Sequence, residues 1–491
     1  MAFLMWCGSP DPHTCGVDLQ IRSGFAGVIQ HQTALRINGS EIRCTRERIG
    51  RSTPHYNTFL NFTIMIIEEL YKLYLKYPSP QTDTRSLKDG DIFFALKGPN
   101  FNGNEFAEQA LNKGAAYIVA DEKLFADNEK IIIVKDVLQT LQDLAKHHRQ
   151  QFTIPFIAIT GSNGKTTTKE LIHAILSARH VCYTTKGNLN NHIGIPLTIL
   201  SVRFDAAMAV IEMGANHLKE IAGYCEYTLP THGIITNCGK AHLEGFGSIE
   251  GVRKGKGELY DYLKAHHGSA FIMWDYEYLR EMSKGIPEII TYGTTNASVT
   301  GTVNPQKTFL SVAMTSGIGF KDVNTQLVGD YNFPNVLVAI TVGKYFKVPD
   351  EAIRQSIENY SPSNSRSQLI KKNGATIILD AYNANPSSMK AAIENFANIQ
   401  GNKKILILGA MAELGSGSLK EHQEIINLLT NYKWSDVVLV GGDFTKLTSP
   451  YKTYNSAEEA ADWLAKQPVE GSSLLIKGSR SMKMEKVLES L

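Results

Sequence analysis

Residues 156–168 read FIAITGSNGKTTT, an apolar, β-branched run that passes through two glycines and continues into helix-forming residues. Strand, glycine turn and helix in that succession put the first backbone N–H groups of the helix at the end of a sheet, where they can hold phosphate oxygens. Lys165 would reach the terminal phosphates, and the Thr166 hydroxyl would ligate Mg²⁺. The longer G-x-x-x-x-G-K-[ST] pattern is not met, because its first position falls on Ile159. The plainer reading is a glycine turn between a strand and a helix, and the strand–loop–helix context argues against it. Nucleotide binding follows from the loop; the reaction does not.

A phosphate loop of this kind sits on a parallel sheet, and from residue 82 onward short apolar runs alternate with helical stretches as an α/β chain requires. With 491 residues the chain has room for about three domains. Residues 65–150 hold the strands DIFFALKG, AAYIVA and IIIVKD and a helix from Asn104 to Lys113. Residues 151–360 begin after QFTIP and carry FIAIT, MAVIEM and GIITN, with the helix FPNVLVAITVGKYF at the end. Residues 361–491 carry TIILD, KILILG, DVVLVG and SLLIKG between helices, a doubly wound, dinucleotide-type pattern. No internal repeat of solenoid length is visible.

Residues 1–64 read differently. They contain no lysine, the first being Lys72, and their basic residues are Arg22, Arg36, Arg43, Arg46, Arg48 and Arg51. A helical period then begins at Ile64, Ile67, Tyr71 and Tyr74. The working protein is expected to begin near Met65, with the preceding residues a non-core extension or a start-site artefact; a small domain or flexible arm is the alternative. Charged residues make up 20% of the chain and the net charge is +2, which gives no reason to expect a nucleic-acid or membrane partner. The six cysteines form no C-x-x-C pair, and no apolar stretch is long enough to span a bilayer, so a reducing, cytoplasmic compartment is expected.

GSNGKTTTKE resembles the Mur ligase family, whose loop is a G-[ST]-x-G-K-[ST]-[ST] variant. Other segments match in the family's order over nearly all of residues 65–491: TDTRSLKDGDIFFALKGPNFNGNEF, KGNLNNHIGIPLT, IEMGANHLKEI, NCGKAHLEGFGSIEGVRKGKGE, LDAYNANPSSM, MAELG and LLIKGSRSMKME. The wording GANH and AHLEGFGS points to the branch that joins D-alanyl-D-alanine to UDP-N-acetylmuramoyl-tripeptide, and no D-N-P-R of the diaminopimelate-adding branch occurs. The resemblance implies three α/β domains: a UDP-sugar domain, a central ATP-binding domain and a C-terminal Rossmann-like domain. It also implies an ATP- and Mg²⁺-dependent ligase of peptidoglycan synthesis that works as a monomer through an acyl phosphate.

Roles come with the resemblance residue by residue. Gly161, Ser162, Asn163, Gly164, Lys165, Thr166 and Thr167 would hold the ATP phosphates. Thr166, Glu212 and His242 would hold Mg²⁺, helped by Lys256 carrying a CO₂-derived carbamate; Lys254 is its neighbouring competitor. Lys165, Glu212, His242 and Lys256 form the implied catalytic set. Asn335 would contact adenine, Arg366 the phosphates and Asp380 the ribose. Tyr331 stands where the family usually has histidine, SNSR where it has P-G-R, and Ala410, given no role, where aspartate is common. Thr84, Arg85, Lys97 and Gly98 would meet the uridine diphosphate, Asn190 and Asn191 the muramoyl part, and Lys477, Ser479 and Arg480 the incoming peptide. Without the motifs, Glu212 reads as an edge charge, His242 as a local hydrogen-bonding residue, and Lys256 and the basic C-terminal loop as solvated cations.

Three competing readings remain. Another Mur-type or folylpolyglutamate synthase-like ligase would share the loop without the AHLEGFGS and NLNN wording. A phosphate-loop kinase or NTPase gives no reason for a third domain. A non-catalytic nucleotide-binding module would tolerate the loss of Lys165, Glu212 and His242. Arg366 and Asp380 lie outside the phosphate-loop block, which predicts closure of the third block over ATP.

Overall fold

The computed structural model describes residues 35–37, 40–42, 67–122, 128–305, 309–362, 365–401 and 403–491. The expectation about residues 1–64 and a start near Met65 lies outside the described residues, apart from a short antiparallel pair, Leu35–Ile37 with Ser40–Ile42. From residue 67 the expected helical period is present. Residues 67 to 76 are helical, and Ile67, Leu70, Tyr71 and Tyr74 are buried.

Three sheets of four or more strands follow, besides a two-stranded antiparallel pair, Lys97–Gly98 with Phe101–Asn102. The first is small and wholly parallel, with Pro80–Gln81, Ile92–Phe94, Tyr117–Ala120 and Ile131–Ile133 side by side in chain order. The expected helix after DIFFALKG opens as a 3-10 turn, Gly103–Phe106, which Asn102 caps, and becomes α-helical only at Ala107–Asn112. The helix Val137–Arg149 ends this stretch of chain. Arg149 donates to the carbonyls of Thr228 and Leu229, and Tyr71 and Tyr74 close on His148, so this helix is fastened to the second sheet's layer.

The second sheet has nine strands, with Phe156–Thr160 between Met208–Glu212 and His232–Ile235. Its first seven strands in spatial order, from Cys182–Thr184 to Val299–Val303, are parallel, and Ser311–Ser316 and Asp322–Asn324 complete it antiparallel. Every residue of Phe156–Thr160 and Met208–Glu212 is buried, which is why these strands read as unbroken apolar runs rather than alternations. The helices Lys165–Ser177 and Phe333–Tyr345 pack together against the sheet, the second buried over most of its surface. The chain leaves Phe156–Thr160 toward one side and returns on the other. That reversal opens a crevice at the carboxyl end of the strand, beside residues 161–166.

The third sheet has six strands in the order Gln368–Lys372, Ala375–Asp380, Ser473–Lys477, Lys404–Gly409, Asp436–Val440 and Lys452–Tyr454. Only the first pair is antiparallel. Apolar clusters cover both faces, one built on Leu406, Leu408 and Phe396, the other on Ile377, Ile407 and Ile476. The fold class is the expected three-domain α/β arrangement. No described helix is long and apolar enough to cross a membrane.

Candidate active site

The strand Phe156–Thr160 delivers the chain to Gly161, and the helix Lys165–Ser177 starts four residues later. Gly164 caps that helix with φ of +81°, a left-handed turn that disfavours any side chain, and a Cβ there would stand 2.5 Å from Asn335 Oδ1. The turn is held from the neighbouring strand's loop. Ser162 N–H donates to the Asn237 carbonyl at 2.9 Å, Asn163 N–H to Asn237 Oδ1 at 3.1 Å, and Ser162 Oγ to the Gly239 carbonyl at 2.9 Å. Lys165 Nζ folds back on the loop, donating to the Gly161 carbonyl at 2.7 Å. Burial pushes its pKa down, Glu212 opposes that shift, and Arg366 adds to it.

Glu212 ends its strand only 1% exposed. Oε1 accepts from Asn190 Nδ2 at 2.8 Å and Thr166 Oγ1 at 3.1 Å, whereas Oε2 is buried without a hydrogen-bond partner. A buried carboxylate oxygen without a partner is costly unless a cation meets it. The hydroxyl and carboxylate here form the hard-oxygen set that Mg²⁺ takes. No cluster of three or more His, Cys, Asp or Glu suited to a metal occurs among the described residues.

These groups line a cleft of about 920 Å³ between the second and third sheets. Residues 162–167, Asn190, Asn191, Glu212, His242 and Asn335 reach it from the second sheet; Arg366, Asp380 and Lys477 reach it from the third. His242 has a left-handed backbone and contacts Glu413 of the third sheet's layer through Nδ1. That contact has the proximity of an ion pair without hydrogen-bond alignment, since Nδ1 is otherwise unpartnered. Asn335 turns its amide inward, accepting from Thr168 Oγ1 at 3.1 Å and donating to Asn332 Oδ1 at 3.0 Å. Asn191 Oδ1 accepts from Gly194 N–H at 2.9 Å and so fixes the start of the helix Gly194–Ser201. The Arg366 guanidinium lies 3.6 Å from the centre of the Tyr382 ring. Lys477, 1% exposed, donates to Asp380 Oδ2 at 2.5 Å.

Other expected residues stand apart from the cleft lining. Gly161 forms the back of the loop. Lys256 is 1% exposed beneath the site, its Nζ donating to the Ala215 carbonyl at 2.7 Å and lying over the Phe246 ring. Burial, then the nearby Lys165 charge, lowers its pKa to about 7. Ser479 is buried against the Ala410 carbonyl, and Arg480, 66% exposed, pairs with Glu485. In the first sheet's layer, Thr84 Oγ1 donates to Gln109 and Lys97 pairs with Asp121 and Glu122. Arg85, 90% exposed, holds Asp83, and Gly98 sits under the Phe101 ring.

Four contributors escaped the sequence reading although their motifs were visible: Asn237, Asn385, Tyr382 and Glu413. Asn385 caps the helix Pro386–Asn398 and donates from Nδ2 to Asn163 Oδ1 at 2.8 Å, joining the third sheet's layer to the phosphate loop. An asparagine before proline signals a helix cap, but nothing in the sequence says what else that cap touches.

Family models for the "Mur ligase middle domain", the "Mur ligase, glutamate ligase domain" and the "Mur ligase family, catalytic domain" match residues 159–343, 365–480 and 81–149. The UDP-N-acetylmuramoyl-tripeptide–D-alanyl-D-alanine ligase of Bacillus subtilis (strain 168) is 33% identical over 429 residues, 84% of this chain and 92% of that protein. A crystal structure of MurF from Acinetobacter baumannii aligns with a TM-score of 0.76 at 30% identity, covering 84% of this chain and 93% of that one. The MurF ligase of Thermotoga maritima in complex with ADP aligns with a TM-score of 0.76 at 26% identity, covering 84% and 96%.

Proposed function

The chain belongs to the Mur ligase family, and from that premise we propose that it uses ATP to join D-alanyl-D-alanine to UDP-N-acetylmuramoyl-tripeptide, giving the pentapeptide precursor of peptidoglycan, ADP and phosphate. The observation that carries this reading is the single cleft in which the phosphate loop and Glu212 face Arg366 and Asp380. A phosphate loop alone would serve many NTPases. The added cation and carboxylate from a separate sheet suit an enzyme that grips nucleotide from two sides while a second substrate enters.

A carboxylate is a poor electrophile. The γ-phosphoryl group of ATP moves onto the tripeptide carboxylate, the dipeptide amine attacks the acyl phosphate, and phosphate departs as the amide forms. Positioning and charge neutralisation do most of the work in the first step. The backbone N–H groups of residues 164–166 and the Lys165 ammonium cradle the phosphates, and Arg366 meets their charge from the opposite wall. Asp380 accepts from the ribose hydroxyls, and Asn335 borders the base. Thr166, Glu212 and His242 would hold Mg²⁺, which would supply positive charge against the charge that develops on the transferred phosphoryl group.

Lys256 would carry a carbamate. With its pKa near 7 a neutral amine exists at physiological pH; its lone pair forms the N–C bond to CO₂ and the nitrogen releases a proton. Thr84, Arg85, Lys97 and Gly98 would receive the uridine diphosphate, Asn190 and Asn191 the muramoyl tripeptide, and Ser479 and Arg480 the dipeptide side. Residues 65–150, 151–360 and 361–491 act as three domains of a cytoplasmic monomer.

Phosphate release from ATP, measured with the UDP-tripeptide in the presence and absence of D-alanyl-D-alanine, tests the reading. Release should depend on both and yield the UDP-pentapeptide. Release without the dipeptide, or only with a single amino acid, would overturn it.

A further inference from the structure

The third sheet's layer brings one acidic residue against the proposed metal ligand. Glu413 contacts His242 Nδ1, is not among the residues that line the cleft, and its charge also acts on Lys165. Both residues hold left-handed backbone conformations, φ of +51° at His242 and +61° at Glu413. Neither is glycine, and such strain persists only where surrounding contacts impose it. The two loops are also joined through the backbone, Glu244 N–H donating to the Glu413 carbonyl at 3.2 Å, and Gly415 lets the chains approach, since a Cβ there would lie 3.3 Å from Glu244 Cα.

We infer that Glu413 is a positioning residue whose negative charge, set against Nδ1 from across the domain boundary, selects the tautomer of the His242 ring. A carboxylate at Nδ1 favours the proton on that nitrogen, which leaves the Nε2 lone pair for a metal in the cleft. The metal site is then complete only when the loop bearing Glu413 is docked, and this links domain closure to cation binding. The inference rests on the proposed role of His242 as a Mg²⁺ ligand.

The same central loop has a second tether that bypasses the imidazole. Lys240 Nζ pairs with Glu421 at 2.7 Å and Glu424 at 3.3 Å, and Lys240 N–H donates to Ser387 Oγ at 2.9 Å. Docking and the choice of tautomer can therefore be separated by mutation.

The test is Mn²⁺ binding to the full chain with ADP, read from the electron paramagnetic resonance signal of free Mn²⁺. Glu413→Ala should weaken Mn²⁺ binding by about 10- to 100-fold, the usual effect of removing a ligand's orienting partner. Glu413→Gln, which keeps the volume and an acceptor, should lose less, and it is read in the same way if the alanine variant does not fold. His242→Ala should weaken binding, and adding Glu413→Ala to it should cost nothing more, because the glutamate acts through the histidine. Lys240→Ala, which loosens docking but leaves Glu413 beside the imidazole, should weaken Mn²⁺ binding by several-fold less than Glu413→Ala does. Wild-type affinity in Glu413→Ala alongside a loss in His242→Ala would overturn the inference, as would an equal loss in Lys240→Ala, which would assign Glu413 to docking. Wild-type affinity in His242→Ala would instead refute the metal-ligand role on which it rests.

Discussion

Lys256 offers a test that needs no substrate. Its ammonium is buried over the Phe246 ring with one carbonyl partner, and its pKa falls from an ordinary 10.5 to about 7. Between those values the unfolded chain binds a proton that the folded chain does not, so stability rises with pH across that window and the burial penalty is fully expressed below pH 7. At about 1.4 kcal/mol per pH unit, the full penalty is at most about 5 kcal/mol, falling to about 2 kcal/mol at pH 9. Lys256→Met keeps the stem without the charge. In buffer stripped of CO₂, its stability gain over the wild type should be about 3 kcal/mol larger at pH 6 than at pH 9. Urea denaturation of both proteins at the two pH values measures this. A gain independent of pH, or one that grows toward pH 9, would refute the account of the lysine as a buried, depressed amine, and with it the availability of a neutral nucleophile for CO₂.

Three further perturbations probe the cleft. Gly164→Ala forces a side chain into a left-handed turn and against Asn335; it should cost about 1–2 kcal/mol of stability and weaken an ATP analogue in calorimetry, and unaltered binding would contradict the role given to the loop. Glu212→Gln removes the charge but keeps the contacts of Oε1, so its stability should be held or raised while ligase turnover falls by about two orders of magnitude or more; near wild-type turnover would remove Glu212 from the catalytic set. Lys477→Met leaves Asp380 without its cation and should destabilise the protein by about 3–5 kcal/mol in thermal or urea unfolding; a change under 1 kcal/mol would show that solvent reaches Asp380 freely.

The parallel strands were legible because burial on both faces leaves unbroken apolar runs: FIAIT, MAVIE, KILILG and SLLIK all stand where they read. The phosphate loop was legible because its glycines mark a turn that few other residues can make, as φ at Gly164 bears out. Contacts between layers were not. Asn385, Glu413 and Lys240 are ordinary polar letters until the third sheet is set against the second, and the partners of Lys240 lie some 180 residues away, with separations of 181 and 184. The first sheet's residues show the opposite limit. Arg85 and Lys97 suit a diphosphate by charge, yet here they hold Asp83, Asp121 and Glu122, and no periodicity could distinguish a local ion pair from a ligand contact.

Strand order explains one pairing that the linear sequence hides. Asp380 and Lys477 close two strands almost a hundred residues apart, and each reads alone as a polar strand end facing a ligand. In the third sheet Ser473–Lys477 returns between Ala375–Asp380 and Lys404–Gly409, which makes Asp380 and Lys477 direct neighbours in a parallel ladder. The lysine then serves the aspartate. One Asp380 oxygen accepts from Lys477 Nζ, the other from Ser367 N–H at 3.2 Å, and Ser367 is bonded through its hydroxyl to Tyr331 at 2.7 Å. Tyr331 belongs to the second sheet's layer and borders the same cleft. A chain of contacts therefore runs from the last strand through Asp380 to the segment that precedes Asn335, and Arg366 lies between the two left-handed serines, Ser365 and Ser367, along that path. This arrangement fixes the Asp380 carboxylate and the Arg366 guanidinium together, so under the roles proposed for them loss of Lys477 should be felt first in nucleotide binding and only afterwards in recognition of the incoming peptide.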